Sequence, residues 1–183
     1  MKHIKQLAFQ GFDVELELNP EDSKDITECA LFFEGSGQRI KDLNRTSEYI
    51  QSLEKGKYTL YKTGGEHSLP QYQGRTDFPF IVNNHKNQIL QPTFSRSVYP
   101  AINLVIDSKP NKVYLHRLVA MGFVVCPDVT KMYTVDHINE DKTDYSLNNL
   151  QWVTTSRNNS SVKNNASNKG KKYKVMSSEN YVS

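Results

Sequence analysis

The stretch from Tyr133 to Asn159, YTVDHINEDKTDYSLNNLQWVTTSRNN, constrains this chain more than any other. Tyr133 and Val135 alternate with polar neighbours up to Asp136-His137, which predicts a strand. Asp141, Asp144, Ser146 and two asparagines predict a loop after it. Leu150 to Val153 predicts a second short strand. Thr154, Thr155 and Ser156 are N-cap types and predict a helix carrying Arg157 and Asn158. Strand, loop, strand and helix bring the end of the first strand against the first helical turn, which would gather Asp136, His137 and Asn158 in one cleft. A carboxylate and an amide oxygen suit a hard divalent cation with open positions, and an imidazole beside them suits a general base.

Asp136-His137-Ile138-Asn139, Asn148-Asn149-Leu150, Trp152-Val153-Thr154 and Ser156-Arg157-Asn158 together resemble the ββα-metal core of HNH endonucleases, and within them the phage intron-encoded homing branch. Leu115-His116-Arg117-Leu118-Val119-Ala120 with Gly122-Phe123 resembles the helix that commonly precedes the core in that branch. Phe80-Ile81-Val82-Asn83-Asn84 and Gln88-Ile89 resemble the small hairpin module that often accompanies it. The resemblance spans residues 78–160. It implies a ββα-metal HNH core with a small antiparallel β hairpin or sheet before it; with the small N-terminal α/β unit read below from the residues themselves, the expected fold class is α+β. It also implies a divalent-metal-dependent DNA endonuclease of homing or mobile-element type, hydrolysing phosphodiester bonds by nicking or double-strand cleavage. The alternative is a non-cleaving DNA-binding or assembly protein that retains the scaffold; an RNA target is a third reading.

Phosphodiester hydrolysis needs a deprotonated water in line with the leaving oxygen and positive charge near the phosphorus. His137 is the expected base, since an imidazole of pKa about 6.5 is available in neutral form. Asp136 and Asn158 are the expected catalytic ligands of one Mg²⁺ or Mn²⁺ ion per active site, water and phosphate completing the sphere. The resemblance gives Asn149 the role of bracing the loop. Asn139 and Asn148 read as turn residues, and Trp152 as core. His116 reads as support for the site or a phosphate contact on one side, and as an ordinary structural histidine on the other; it is not taken as a metal ligand.

A chain of 183 residues holds one compact domain or two small ones. Hydrophobic residues make up 37% and mean hydropathy is −0.65, and no apolar run approaches a membrane span. Asp13, Glu15 and Glu17 interrupt any signal-peptide pattern. Cys29 and Cys126 have no metal-ligand spacing and point to a reduced compartment; a zinc-stapled variant would need clustered cysteines. The expected location is the cytoplasm of a bacterium or of a phage- or virus-infected cell. Net charge is only +3, but acids dominate from Asp13 to Glu28, and after Arg157 only Glu179 is acidic. That asymmetry turns the basic rear toward a polyanion, with double-stranded DNA the expected partner; the competing reading is a solvated basic tail.

Phe12, Val14, Leu16 and Leu18 alternate with acids and predict a strand, broken by Asn19-Pro20. Cys29 to Phe33 predicts a second strand, Gly35-Ser36-Gly37 a turn, Arg39 to Lys55 a helix closed by Gly56, and Tyr58 to Tyr61 a strand. Residues 1–64 are thus expected to form a small α/β unit, the candidate surface for a protein partner. Residues 65–77 read as a linker or loop, 78–160 as the nuclease domain with a DNA-contacting hairpin, and 161–183 as a basic arm. Phe80 to Leu90 predicts a hairpin, Ala101 to Ile106 a strand, Asn111 a turn before Val113 to Leu115, and Leu115 to Phe123 a helix ended before Pro127. Arg75, Lys86, Arg96, Lys112, Arg117, Arg157 and Lys163 are the candidate DNA contacts; the competing reading is an ordinary solvent face.

Overall fold

The computed structural model describes residues 2–63, 70–94 and 99–154. Strands β1 (His3–Phe9) and β2 (Phe12–Leu18) pair antiparallel with Phe9 opposite Phe12. Gln10 and Gly11 between them both have positive φ, 52° and 83°, as a two-residue turn matched to strand twist requires. Leu16 and Leu18 are buried while Asp13, Glu15 and Glu17 face solvent, so the period of two sets which face enters the core.

The run Cys29–Phe33 is not a strand. It follows a 3₁₀ turn over Ile26–Cys29 and runs on without a strand partner among the described residues. Helix α1 (Gln38–Gln51) supplies the missing partners from its side chains. Ser47 Oγ accepts from Leu31 N at 3.0 Å and donates to Leu31 O at 2.7 Å. Asn44 Oδ1 accepts from Phe33 N at 2.8 Å, and Asn44 Nδ2 donates to Phe33 O at 2.9 Å. Two polar side chains thus satisfy backbone groups that a neighbouring strand would otherwise take. The helix buries Ile40, Leu43, Ser47 and Ile50 and ends four residues before the expected Lys55.

Strands β3 (Ser23–Asp25), β4 (Tyr58–Tyr61), β5 (Phe80–Asn83) and β6 (Gln88–Ile89) complete a six-stranded sheet in the order β2-β1-β6-β5-β4-β3. The hairpin β5–β6, grouped by sequence with the downstream nuclease, is therefore hydrogen-bonded into the sheet of the first sixty residues. All four β5 residues are buried, so the strand is a core element, while the turn residues His85, Lys86 and Asn87 are exposed. The stretch read as linker is described from Pro70 onward, and there it forms an anchored turn. Tyr72 and Arg75 exchange backbone hydrogen bonds at 2.9 Å, and the buried Tyr72 hydroxyl donates to Leu90 O.

Strands β7 (Ala101–Ile106) and β8 (Lys109–Tyr114) form a separate hairpin. Its turn is Asp107-Ser108, with φ of 50° and 62°, and Asn111 lies within β8 opposite Leu104 rather than in the turn. Pro110 is tolerated because a two-stranded hairpin leaves outward N–H positions unpaired. The strand runs directly into α2 (Leu115–Phe123), which is buried on nearly every side. Gly122 lets α2 approach the 3₁₀ turn: a Cβ there would meet Cys29 Sγ at 2.9 Å. Finally β9 (Tyr133–His137) and β10 (Leu150–Thr154) pair antiparallel. Trp152 packs on Phe33 with ring centres 5.3 Å apart and donates Nε1–H to Val124 O. One hydrophobic core joins the sheet, both helices and this last hairpin.

Candidate active site

The β9–β10 register sets Asp136 opposite Gln151 and His137 opposite Leu150. Neighbours on a strand leave the backbone toward opposite faces, and these two have different surroundings. Asp136 is half-buried and accepts a 2.9 Å hydrogen bond from Gln151 Nε2 on Oδ2. Burial raises its pKa; the Gln151 bond works against that rise, and Glu140 adds to it. His137 is 7% exposed and lies parallel to Tyr99, ring centres 5.5 Å apart. Tyr99 also stacks on buried His116 at 4.1 Å, and the two histidine rings are 5.1 Å apart.

His137 Nε2 and His116 Nδ1 are buried and take no hydrogen bond among the described residues. Burial pushes His137 down to about 4, with Asp144 and Asp141 pulling upward and Lys142 pushing further down. Burial likewise holds His116 well below the usual imidazole range, helped by His137 and Arg117. Both rings are therefore neutral at pH 7, the state a base must start from.

The loop between the strands is held by side-chain amides. Asn149 Oδ1 accepts from Asn139 N at 3.0 Å, and Asn149 O accepts from Ile138 N at 2.8 Å. Asn149 Nδ2 donates to Asn139 Oδ1 at 2.9 Å and to Asp144 O at 2.8 Å. Asp144 is 5% exposed. Burial opposes its charge, but bonds from Arg75 and Ser146 outweigh that and hold it below the usual carboxylate range. Arg75 Nη1 lies 2.9 Å from Asp144 Oδ2, while Nη2 and Nε bond Asp77. Arg75, its side chain still 39% exposed, thus directs its three guanidinium nitrogens at two carboxylates. Asn139, read as a turn residue, also donates to Asp144 Oδ2 at 2.9 Å.

Cations border the histidine pair. Lys112 and Arg117 lie over the Tyr114 ring at 5.2 and 5.5 Å, and Lys142 lies 5.6 Å from the Tyr99 ring centre. Tyr114 meets Tyr99 edge-on at 5.9 Å, so these groups form one rim. Lys86 sits apart, exposed in the β5–β6 turn. Asn158, Arg157, Arg96 and Lys163 lie outside the described residues. Among the described residues, no three of His, Cys, Asp and Glu are grouped to hold a metal ion.

Sequence reasoning missed Gln151, Tyr99, Lys142 and the buried Asp144. Strand register would have revealed Gln151, since the residue opposite Asp136 follows from pairing Leu150 with His137. Tyr99 and Asp144 carry no local signal, because each acquires its role through contacts across the fold.

Residues 113–160 match the family model of HNH endonucleases. This segment contains α2, β9, the loop and β10, so the histidine pair lies within the segment that matches the family model. An uncharacterized HNH endonuclease of Acanthamoeba polyphaga mimivirus is 37% identical over 86 residues, 45% of this chain and 21% of its own length. The H-N-H endonuclease F-TflII of Escherichia phage T5 is 27% identical over 88 residues, 47% of this chain and 46% of its own length. The chain thus spans less than half the length of these relatives. The HNH homing endonuclease I-HmuI, solved in a study of DNA binding and cleavage, matches with a TM-score of 0.46 and 23% identity over 69% of this chain and 63% of its own.

Proposed function

We propose that this chain is a divalent-metal-dependent DNA endonuclease of homing or mobile-element type, acting in the cytoplasm of a bacterium or of an infected cell. The observation that carries the reading is His137: a neutral, buried imidazole with an unengaged Nε2, directly after Asp136 in the chain and inside the segment that matches the family model. Its Nε2 lone pair is the atom that would accept a water proton as the water oxygen attacks phosphorus. Tyr99 and His116 hold the ring by packing against it, and the Asn149 bonds fix the backbone just after it.

Asp136 fits an open site for a hard cation. It is half-buried, and its Oδ1 takes no hydrogen bond among the described residues. Asp136, with Asn158, would hold one Mg²⁺ or Mn²⁺ ion, leaving most of the sphere to water and phosphate, as such ions prefer. When bound, the ion would supply positive charge to the phosphate oxygens and the leaving oxygen. Lys112, Arg117 and Lys142 on the rim are suited to phosphates of a bound duplex.

The deciding experiment incubates supercoiled plasmid and phage or host genomic DNA with the protein in Mg²⁺ and in EDTA. Strand breaks that need the ion and disappear in His137→Ala support the reading. Tight binding without breaks under any divalent metal would instead favour the non-cleaving scaffold.

A further inference from the structure

We propose that Arg75 is a positioning residue for the hydrolysis, acting through Asp144 and the asparagines of the loop; this rests on the nuclease reading above. Arg75 lies outside the matched segment 113–160, in the anchored turn beside the six-stranded sheet. Its Nη1 is 2.9 Å from Asp144 Oδ2, the same oxygen that accepts from Asn139 Nδ2 at 2.9 Å. Asn139 in turn exchanges hydrogen bonds with Asn149, which also holds Ile138 N. Ile138 and Asn139 are the two residues that follow His137. The chain of contacts therefore runs unbroken from the first sheet to the backbone that aims the base.

Phosphate contact and bracing make different demands on this arginine. A phosphate contact needs an uncommitted guanidinium, but Asp77 and Asp144 already occupy it, and its face lies 4.6 Å from the Phe78 ring centre. Phe78 stacks on Tyr145 at 4.5 Å, so packing and charge fix the same junction. Removing the guanidinium leaves the Asp144 carboxylate buried without its cation, a costly state that relaxes by moving the loop. A displacement of about 1 Å at a reacting group lowers rate on the order of a hundredfold.

The test uses the full chain with Arg75→Gln and Asp144→Asn. Three quantities are measured: single-turnover cleavage at saturating DNA with Mg²⁺, DNA affinity without metal, and amide exchange of the DNA-free protein by NMR. For Arg75→Gln the cleavage rate is expected to fall about ten- to a hundredfold, with affinity unchanged. Exchange should rise at Ile138 and Asn139 but not across β1–β2. Asp144→Asn should reproduce this pattern, and the double variant should be no slower than the singles, since all three break one path. If Arg75→Gln fails to fold, Asp144→Asn carries the same readouts. Weakened affinity with an unchanged saturated rate would overturn the proposal in favour of a phosphate contact. Exchange that rises everywhere, or nowhere, would overturn it as well. If the wild-type protein cuts nothing, the nuclease reading fails on that result alone, while exchange at Ile138 and Asn139 still shows whether Arg75 holds the loop.

Discussion

The six-stranded sheet and the β9–β10 hairpin spend their buried positions on different chemistry. The sheet buries mostly apolar side chains, Leu7, Leu16, Leu18, Leu60, Phe80, Ile81 and Val82 among them, and its buried Asn83 and Tyr58 are hydrogen-bonded. Within the short span from His137 to Gln151, the hairpin and its loop bury His137, Asp144, Ser146, Asn149 and Gln151. Burying polar groups costs free energy unless each finds a partner. Most here do, but His137 Nε2, the Tyr145 hydroxyl and Gln151 Oε1 take none among the described residues. Stability alone would select against that, so the contrast points to a region kept for chemistry and a region kept for support.

The sharpest way to break this comparison is His137→Ala. If the imidazole serves as base, cleavage should fall about 10²- to 10⁴-fold, while the thermal midpoint stays within a few degrees of wild type. Gel assays of plasmid nicking paired with calorimetry check both halves. A large fall in stability with cleavage intact would place His137 with the sheet, as core.

Acid should separate the regions next. Both histidines have folded pKa values below the unfolded value of about 6.5. As pH falls, the unfolded chain takes up those protons first, so their effect on stability is absent above pH 6.5 and grows as pH drops toward 4. For His137 alone, a pKa near 4 corresponds to a loss of about 3 kcal/mol once pH is below both values. Asp136, with its pKa raised by burial, acts in the opposite sense. Urea unfolding at pH 7 and pH 4.5 measures the net effect, and His137→Ala should flatten the dependence. A profile unchanged by that substitution would show that the ring is solvated in solution.

The two regions also differed in how much their residues disclosed. Alternation in Phe12–Leu18 and Tyr133–His137 announced strands, because each buries one face. The motif around Asp136-His137 announced the class, now matched over residues 113–160. The run Cys29–Phe33 misled, because an apolar extended segment reads alike whether a strand or the side chains of Asn44 and Ser47 satisfy its backbone. Arg75 was read as a DNA contact because a positive charge does not name its partner. Only the fold brings Asp144, distant in sequence, within 2.9 Å. The stack of Tyr99 on His116 was hidden for the same reason.

A smaller effect probes the junction between support and site. Gly122→Ala places a methyl against Cys29 Sγ, which should cost about 1–3 kcal/mol despite alanine's better helix propensity. Adding Cys29→Ala removes the sulfur, so the double variant should be more stable than the sum of the singles predicts. Strict additivity in chemical denaturation would mean that α2 shifts and the close approach is not rigid.

The smallest expected effect lies at the rim. Lys112 is exposed over the Tyr114 ring, and substitution there should leave folding almost untouched. If it neutralises one phosphate, Lys112→Ala weakens DNA binding similarly for every sequence and lowers the slope of log affinity against log salt by about one. Lys86, exposed on the far β5–β6 turn, is the matched control, because it lies in the supporting sheet and outside the aromatic rim. Binding titrations across a salt series should therefore show a changed slope for Lys112→Ala and an unchanged one for Lys86→Ala. Equal slopes for both would extend the nucleic-acid surface onto the sheet and erase the division between the two regions.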